Sequence, residues 1–101
     1  MTTRIVLFNL KDSGSAAEYE RWARESDIPA VRKLRSVASF EALKGAGLLG
    51  GGASPYQYFE IFRINDLKLF GEGLATEAVQ KMAAQFNTFA DRPLFIVTEA
   101  L

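Results

Sequence analysis

Residues 36–64 read SVASFEALK GAGLLGGGASP YQYFEIFRI, and this stretch decides the fold. Its two outer parts, 36–44 and 56–64, are rich in the β-branched and aromatic side chains that favour strands. The part between them is rich in glycine and ends at Pro55, a composition typical of a loop. The stretch therefore predicts a β-hairpin closed by a long, glycine-rich loop.

The segment before the hairpin predicts a strand and then helix. Residues 4–9 are apolar and β-branched and give way to a polar, glycine-containing run. Ser15 and Glu18 have the spacing of a capping box, so a helix should run from about Ala16 to Ser26. Asp27-Ile28-Pro29 interrupts its pattern, and Pro29 suits the first turn of a second short helix.

The segment after the hairpin predicts helix and then a last strand. Asp66 or Asn65 can cap a short helix. A longer helix should run from Thr76 to Ala90, because its apolar residues recur every three or four positions. Residues 91–93, Asp-Arg-Pro, should end it, and residues 94–100 supply a last strand.

The order of elements is therefore β-α-β-β-α-β, which predicts an α+β, ferredoxin-like domain over residues 1–101. In this arrangement the sheet is antiparallel, its strands lie in the order 4-1-3-2, and both helices cover one face. No strand alternates cleanly between apolar and polar residues, so both faces of the sheet need cover. We expect a homodimer in which the sheets of two copies pack face to face.

The composition excludes several classes of function. The chain has no cysteine and no histidine, which excludes disulfides, thiol nucleophiles, histidine-based triads and histidine-ligated metals. Twelve basic and twelve acidic residues cancel, so neither nucleic acid nor a membrane surface is an expected partner. The apolar stretch near the N-terminus is too short for a signal peptide or a membrane span. We expect a cytoplasmic protein with no metal and no cofactor.

Glu60 is the leading catalytic candidate, because it stands at the centre of YQYFEIF with aromatic neighbours on its own face. If the hairpin is symmetric about its loop, Phe40 lies opposite Glu60 and Ala42 opposite Tyr58. Burial there raises the pKa of a carboxyl group towards the range useful for acid or base catalysis. The alternative is that Glu60 pairs with Arg4, Arg63 or a residue of a second copy.

Asn9 ends the first strand and should lie near Tyr56 and Tyr58. There its amide can orient a ligand carbonyl, as a second catalytic candidate, or cap the loop. The aromatic set can line a flat cavity between the helices and the sheet, or it can be plain core. Its members, as candidate ligand-binding residues, are Tyr19, Trp22, Phe40, Tyr58 and Phe86.

The glycine-rich loop contains the pattern G-x-G-x-x-G at residues 45–50. A dinucleotide-binding loop needs a helix immediately after this pattern, since the helix N-terminus holds the pyrophosphate. Here another strand follows instead. We interpret the pattern as a hairpin loop and not as a nucleotide site.

Several stretches together resemble the RedY-like HapK family. In chain order they are residues 5–12 (IVLFNLKD), 19–23 (YERWA), 27–32 (DIPAVR), 56–61 (YQYFEI), 65–67 (NDL), 85–90 (QFNTFA) and 93–96 (PLFI). The resemblance implies a dimeric α+β barrel and a role in making the bipyrrole half of prodigiosin-type pigments. The wider relatives of that family include cofactor-free monooxygenases, cyclases and stress-responsive barrels, and the resemblance extends to them.

The resulting hypothesis is a small-molecule-binding protein, an enzyme or an accessory protein, that takes a flat aromatic or apolar metabolite. It acts by proton transfer or by cofactor-free oxidation, in which the substrate's own electron-rich ring reduces oxygen. A non-catalytic, stress-response-type barrel is the alternative.

Overall fold

The computed structural model describes residues 1–101 and contains one four-stranded sheet with helices packed on one face. The strands are β1 (Thr2–Leu10), β2 (Val37–Lys44), β3 (Tyr58–Ile64) and β4 (Ala90–Thr98). They lie in the order β2-β3-β1-β4, and every neighbouring pair is antiparallel. The predicted α+β, ferredoxin-like arrangement is confirmed.

The first helical region is continuous where the sequence predicts a break. Helix α1 (Ala16–Trp22) runs through a π-helical segment (Ala23–Asp27) into α2 (Ile28–Arg32). The predicted interruption at Asp27 is wrong because this residue keeps a right-handed helical conformation, and Pro29 is accommodated in the first turn of α2.

The predicted capping box at the start of α1 is also wrong. The Ser15 side chain accepts no capping bond, and its hydroxyl donates to the carbonyl of Asp12 instead. Asp12 caps a short 3-10 turn (Ser13–Ser15) by accepting from the backbone N–H of Gly14 at 2.9 Å. The turn, and not the capping box, therefore leads into the helix.

The second helical region follows the sequence more closely. Asp66 caps α3 (Leu67–Leu74) by accepting from the backbone N–H of Leu69 at 3.0 Å. Thr76 caps α4 (Glu77–Phe89) in the same way, through the N–H of Val79. Both helices thus begin at the predicted polar residues.

Strand β4 begins at Ala90, so residues 91–93 belong to a strand and not to a loop. The register with β1 shifts between Leu7 and Asn9, where β4 carries one extra residue. Arg92 adopts a positive φ of 43° at this bulge. Pro93 is tolerated because β4 is an edge strand, where a missing N–H costs no ladder bond.

The hairpin pairs two residues away from the predicted register. Ala42 lies opposite Glu60, and Phe40 lies opposite Phe62. The strand pairing extends into the loop, where the N–H of Gly45 donates to the carbonyl of Gln57 at 2.7 Å. The chain reverses at Gly51 and Gly52, whose φ angles of 104° and 101° favour glycine. A shift of two residues leaves Phe40 and Glu60 on the same face of the sheet.

The two faces of the sheet are covered unequally. One face packs against the helices and supplies the buried core, including Val6, Phe8 and Ile64. The other face has no cover within the chain, and its apolar side chains are half-buried or exposed. This open face, named so below, consists of Ile5, Leu7, Leu43, Phe59, Ile61, Leu94 and Ile96.

Candidate functional site

A cavity of about 260 Å³ lies between the helices and one side of the sheet. Its wall is mostly apolar and is built by α2, α3, α4 and the sheet. The apolar side chains that the helices and the turn after α2 contribute are Ala30, Val31, Leu34, Phe70, Leu74, Ala78, Val79, Met82, Ala83 and Phe86. The polar residues of the wall are Arg4, Asp27, Glu60, Thr76 and Asn87.

Glu60 reaches the cavity from the centre of β3 and is 5% exposed. Its oxygen Oε2 is buried and accepts no hydrogen bond from any N–H or O–H donor of the chain. Burial raises the pKa of Glu60 well above its ordinary value of 4.5, and the neighbouring carboxyl group of Asp27 raises it further. Glu60 is therefore protonated over a wider pH range than an exposed glutamate.

Asp27 is the partner of Glu60. It ends the π-helical segment and is 8% exposed, and its carboxyl group hydrogen-bonds to that of Glu60. Two carboxyl groups can share a hydrogen bond only if one of them carries a proton. Burial also raises the pKa of Asp27. This bond raises the pKa of Glu60 and lowers that of Asp27, so at pH values below the raised pKa of Glu60 the proton lies on Glu60 and the negative charge on Asp27.

Arg4 completes the polar part of the wall. Its guanidinium carbon lies 4.8 Å from the ring centroid of Phe62, 5.4 Å from that of Phe70 and 4.9 Å from that of Phe95. Arg4 attracts the charge of Glu60, yet none of its nitrogens lies within 4.0 Å of a carboxylate oxygen. Burial lowers the pKa of Arg4. The ion pair of Glu60 with Arg4 or Arg63, considered from the sequence, does not form within the chain.

The structure divides the residues predicted for the site into two groups. Glu60 and Phe86 line the cavity. The other members, which do not line it, are Asn9, Tyr19, Trp22, Phe40 and Tyr58. Asn9 holds the hairpin loop, since its side chain accepts from the N–H of Gln57 at 2.9 Å and donates to the carbonyl of Pro55 at 3.1 Å.

The predicted aromatic residues pack mostly against one another. The Tyr19 ring lies 4.7 Å from Tyr58, 5.4 Å from Phe8 and 6.1 Å from Trp22 between centroids. The indole N–H of Trp22 donates to Gln85 at 3.1 Å. None of these rings lines the 260 Å³ cavity. Phe40 packs against Phe62 with tilted rings, whose centroids are 4.5 Å apart.

Tyr58 also takes part in a polar cluster at the surface. Its hydroxyl donates to Glu20 Oε2 at 2.6 Å, and Lys44 contacts the same oxygen at 3.0 Å. Burial and the bond to Glu20 raise the pKa of Tyr58 to about 12. Tyr58 and Tyr19 line a smaller cavity of about 110 Å³ beside this cluster.

Asp27 is the residue that sequence reasoning missed. In the sequence it resembles an ordinary polar residue at a helix boundary, because it stands two residues before Pro29. The break in the periodic pattern of apolar residues near Asp27 could have indicated this residue. An extra residue in a helical turn gives such a break and is typical of π-helical segments, which occur often at functional sites.

No helix of the structure is long and apolar enough to span a bilayer. Histidine, cysteine, aspartate and glutamate side chains nowhere gather in a group of three that could ligate a metal ion.

The sequence matches the family described as REDY-like protein HapK over residues 2–101. The chain belongs to the REDY-like HapK family. Among solved structures it is similar to HapK from Hahella chejuensis, with a TM-score of 0.80 and 25% identity over 100% of this chain and 93% of that one. A search of curated proteins gives no significant match.

Two more distant structures share the fold of this HapK-family chain. One is a dabb family protein with a ferredoxin-like fold from Mesorhizobium loti, with a TM-score of 0.77 and 17% identity over 99% of this chain and 96% of that one. The other is a dimeric protein of unknown function from Bacteroides fragilis, with a TM-score of 0.70 and 14% identity over 98% and 95%.

Proposed function

We propose that this HapK-family protein binds a small, flat, largely apolar metabolite in the 260 Å³ cavity and moves a proton on it through Glu60. The observation that carries the proposal is the buried carboxyl pair in an apolar wall. The volume lies just below the range of about 300–1,000 Å³ typical of ligand pockets, which favours a small ligand. Phe86 and the rings around Arg4 supply flat apolar contacts.

Glu60 acts as the general base in this proposal once it has lost its proton, and the bond to Asp27 keeps that proton on Glu60 at lower pH. A carboxylate removed from water is a stronger base than one at the surface, because its charge is less stabilised. The proton taken from the ligand then lies on Glu60, in contact with Asp27, and can be returned at another position of the ligand. Where the ligand ring is electron-rich and oxygen is present, the same deprotonation prepares the ring to reduce oxygen without a cofactor.

We infer that the metabolite belongs to a secondary-metabolite pathway, with a prodigiosin-like bipyrrole as the first candidate. Membership of the HapK family and the resemblance of nearly the whole chain to RedY-like proteins support this setting. In a reconstituted bipyrrole pathway, Glu60→Gln should reduce product formation while the protein still folds. Full product formation with Glu60→Gln would favour the non-catalytic barrel instead.

The proposed base can be tested without knowing the natural metabolite. The probe 5-nitrobenzisoxazole is flat and reports on carboxylates in apolar surroundings. The base takes the C3 proton, the C–H electron pair completes a nitrile, and the ring N–O bond breaks to leave a coloured phenolate. The protein should accelerate this reaction over acetate at the same pH, and the rate should rise with pH as the pair loses its proton.

Two variants identify the base in that assay. Glu60→Gln should lower the rate by about 100-fold or more, the usual contribution of a positioned base. Glu77→Gln is the matched control, because Glu77 is an exposed glutamate whose side chain is 88% accessible, and it should leave the rate unchanged. An unchanged rate with Glu60→Gln would overturn the assignment of the base to Glu60.

We propose further that the protein is a homodimer in which the open face of one copy covers that of another. Seven apolar side chains lie on this face, where the register places them opposite one another across all four strands. An apolar surface of this extent is uncommon on a soluble monomer. One structure of the same fold is described as dimeric, which supports the pairing.

Sedimentation equilibrium tests the dimer. The wild-type chain should sediment as a dimer at micromolar concentration. Ile5→Lys should shift it to monomer, because Ile5 lies between Ile61 and Ile96 on the open face and a charge buried there has no partner across the strands. Glu72→Lys on the exposed surface of α3 is the control and should stay dimeric. A wild-type chain that is monomeric at this concentration would contradict the proposal.

A further inference from the structure

Arg4 is half-buried, and one nitrogen of its guanidinium group is buried without a hydrogen-bond partner in the chain. Its Nε atom is fully buried and donates no hydrogen bond. Its surroundings are the rings of Phe62, Phe70 and Phe95, and it faces the same cavity as Glu60. Because buried donors in native proteins nearly always have partners, an acceptor inside the cavity is the expected complement.

The carboxyl pair, in contrast, lacks a hydrogen-bond donor. Glu60 Oε2 is buried and accepts from no donor of the chain, and the pair with Asp27 carries one negative charge. Arg4 lies diagonally across β1 and β3 from Glu60, since Arg4 pairs with Phe62 and Val6 pairs with Glu60. Such diagonal positions are about 7–8 Å apart on one face of a sheet, so both side chains border the same part of the cavity.

The charges of these groups cancel. Arg4 contributes one positive charge and the carboxyl pair one negative charge, and the rest of the wall is largely apolar. The carboxylate would repel an anionic ligand, and the guanidinium group would repel a cationic ligand. An uncharged ligand avoids both conflicts and can still satisfy both groups.

We propose that the cavity selects an uncharged planar ring that carries a hydrogen-bond acceptor next to a donor, as a lactam does. Arg4 donates to the carbonyl-type acceptor, and the Asp27–Glu60 pair accepts from the adjacent N–H or O–H. The proposal rests on the proposed function, because it assigns the substrate class to the same cavity. It also explains what Arg4 does there, namely to fix the orientation in which the ligand meets the base.

Three bicyclic probes of nearly the same shape test this selectivity. 2-Quinolinone has the adjacent carbonyl and N–H, N-methyl-2-quinolinone lacks the donor, and quinoline-2-carboxylate is anionic. The wild-type protein should bind 2-quinolinone at least 10-fold more tightly than either of the others, which corresponds to about 1.4 kcal/mol. Chemical shifts of the Met82 methyl group, on the cavity wall, should move on titration, and those of Leu43, on the open face, should not.

Variants of Arg4 separate recognition from folding. Arg4→Met keeps an unbranched apolar stem but removes every donor, so it should weaken the binding of 2-quinolinone and N-methyl-2-quinolinone alike, because both present the carbonyl. Arg4→Lys keeps the charge and loses the planar fork, so it should retain only part of the affinity for these two rings. Circular dichroism confirms that each variant is folded before titration.

Each other outcome overturns the proposal. Tighter binding of quinoline-2-carboxylate, lost in Arg4→Met, would mean that the cavity selects an anion. Equal binding of all three probes, or no shift at Met82, would mean that the cavity has no donor–acceptor selectivity. These failures differ from failure of the proposed base, because the benzisoxazole reaction depends on Glu60 and not on which polar groups the ligand presents.

Discussion

Replacing Phe8 with alanine is expected to lower the free energy of unfolding by about 3–5 kcal/mol, as large-to-small changes of buried phenylalanines do. Phe8 is 0% exposed and lies two residues before the end of β1. Its ring centroid lies 5.4 Å from that of Tyr19, 5.6 Å from that of Tyr58 and 4.9 Å from that of Phe86. The loss is large because these neighbours belong to three different elements and cannot all move in to fill the space.

Urea denaturation followed by circular dichroism measures this loss, and Phe95→Ala is the matched control. Phe95 is also a phenylalanine in the sheet, but it is 51% exposed on the edge strand, so its removal should cost much less. Similar losses for the two variants would show that the aromatic cluster around Phe8 is not the part of the core on which stability depends most.

The order of elements follows from local patterns, which is why the sequence predicts it well. Apolar residues recur with the helical period in α4 and cluster in the four strands, and Asp66 and Thr76 mark helix starts by their own side-chain bonds. The burial of Glu60 is local in the same sense, because the aromatic residues around it in its own strand are visible in the sequence.

The register of the hairpin depends on the loop, and here the sequence is ambiguous. Consecutive glycines allow the chain to reverse at more than one position, and nothing in the strands distinguishes pairings two residues apart, because both keep the same face inward. The structure places the reversal at Gly51 and Gly52. Ala42 therefore lies opposite Glu60, where symmetry about the loop had predicted Phe40.

The position of the cavity could not be read from the aromatic residues. Large rings such as Tyr19, Tyr58 and Trp22 fill the space between the helices and the sheet at their end of the core. Space remains at the other end, where the helices present small side chains such as Ala30 and Ala83. A cavity is set by what the side chains leave empty in three dimensions, and sequence patterns report only what is apolar.

Asp27 meets Glu60 through a long-range contact that no local pattern encodes. The π-helical segment turns Asp27 towards the sheet, 33 positions along the chain from Glu60. Its helical neighbours at the surface are charged, so their sequence suggests a solvated helix end. Only the packing of α1 and α2 on the sheet shows that this carboxyl group is buried.

The carboxyl pair has a measurable consequence for stability. Its carboxyl groups have a raised pKa in the folded protein, chiefly through burial, while in the unfolded chain Glu60 titrates near its ordinary value of 4.5. Between these pKa values the folded protein binds more protons than the unfolded chain. The free energy of unfolding should therefore fall as the pH rises above 4.5 and level off once the folded pair is deprotonated. The slope can reach about 1.4 kcal/mol per pH unit for each proton.

Glu60→Gln should abolish most of this fall, because glutamine has no proton to lose and occupies nearly the same volume. The variant should thus gain stability relative to the wild type as the pH rises, although it lacks the proposed base. Urea denaturation from pH 5 to pH 8 measures the two slopes, and Glu77→Gln, at an exposed site on α4, should follow the wild type. Parallel wild-type and Glu60→Gln curves would mean that Glu60 is ionised in the folded protein throughout this range. In that case Arg4, the cation that faces the same cavity, would have to stabilise the charge more than burial and Asp27 oppose it.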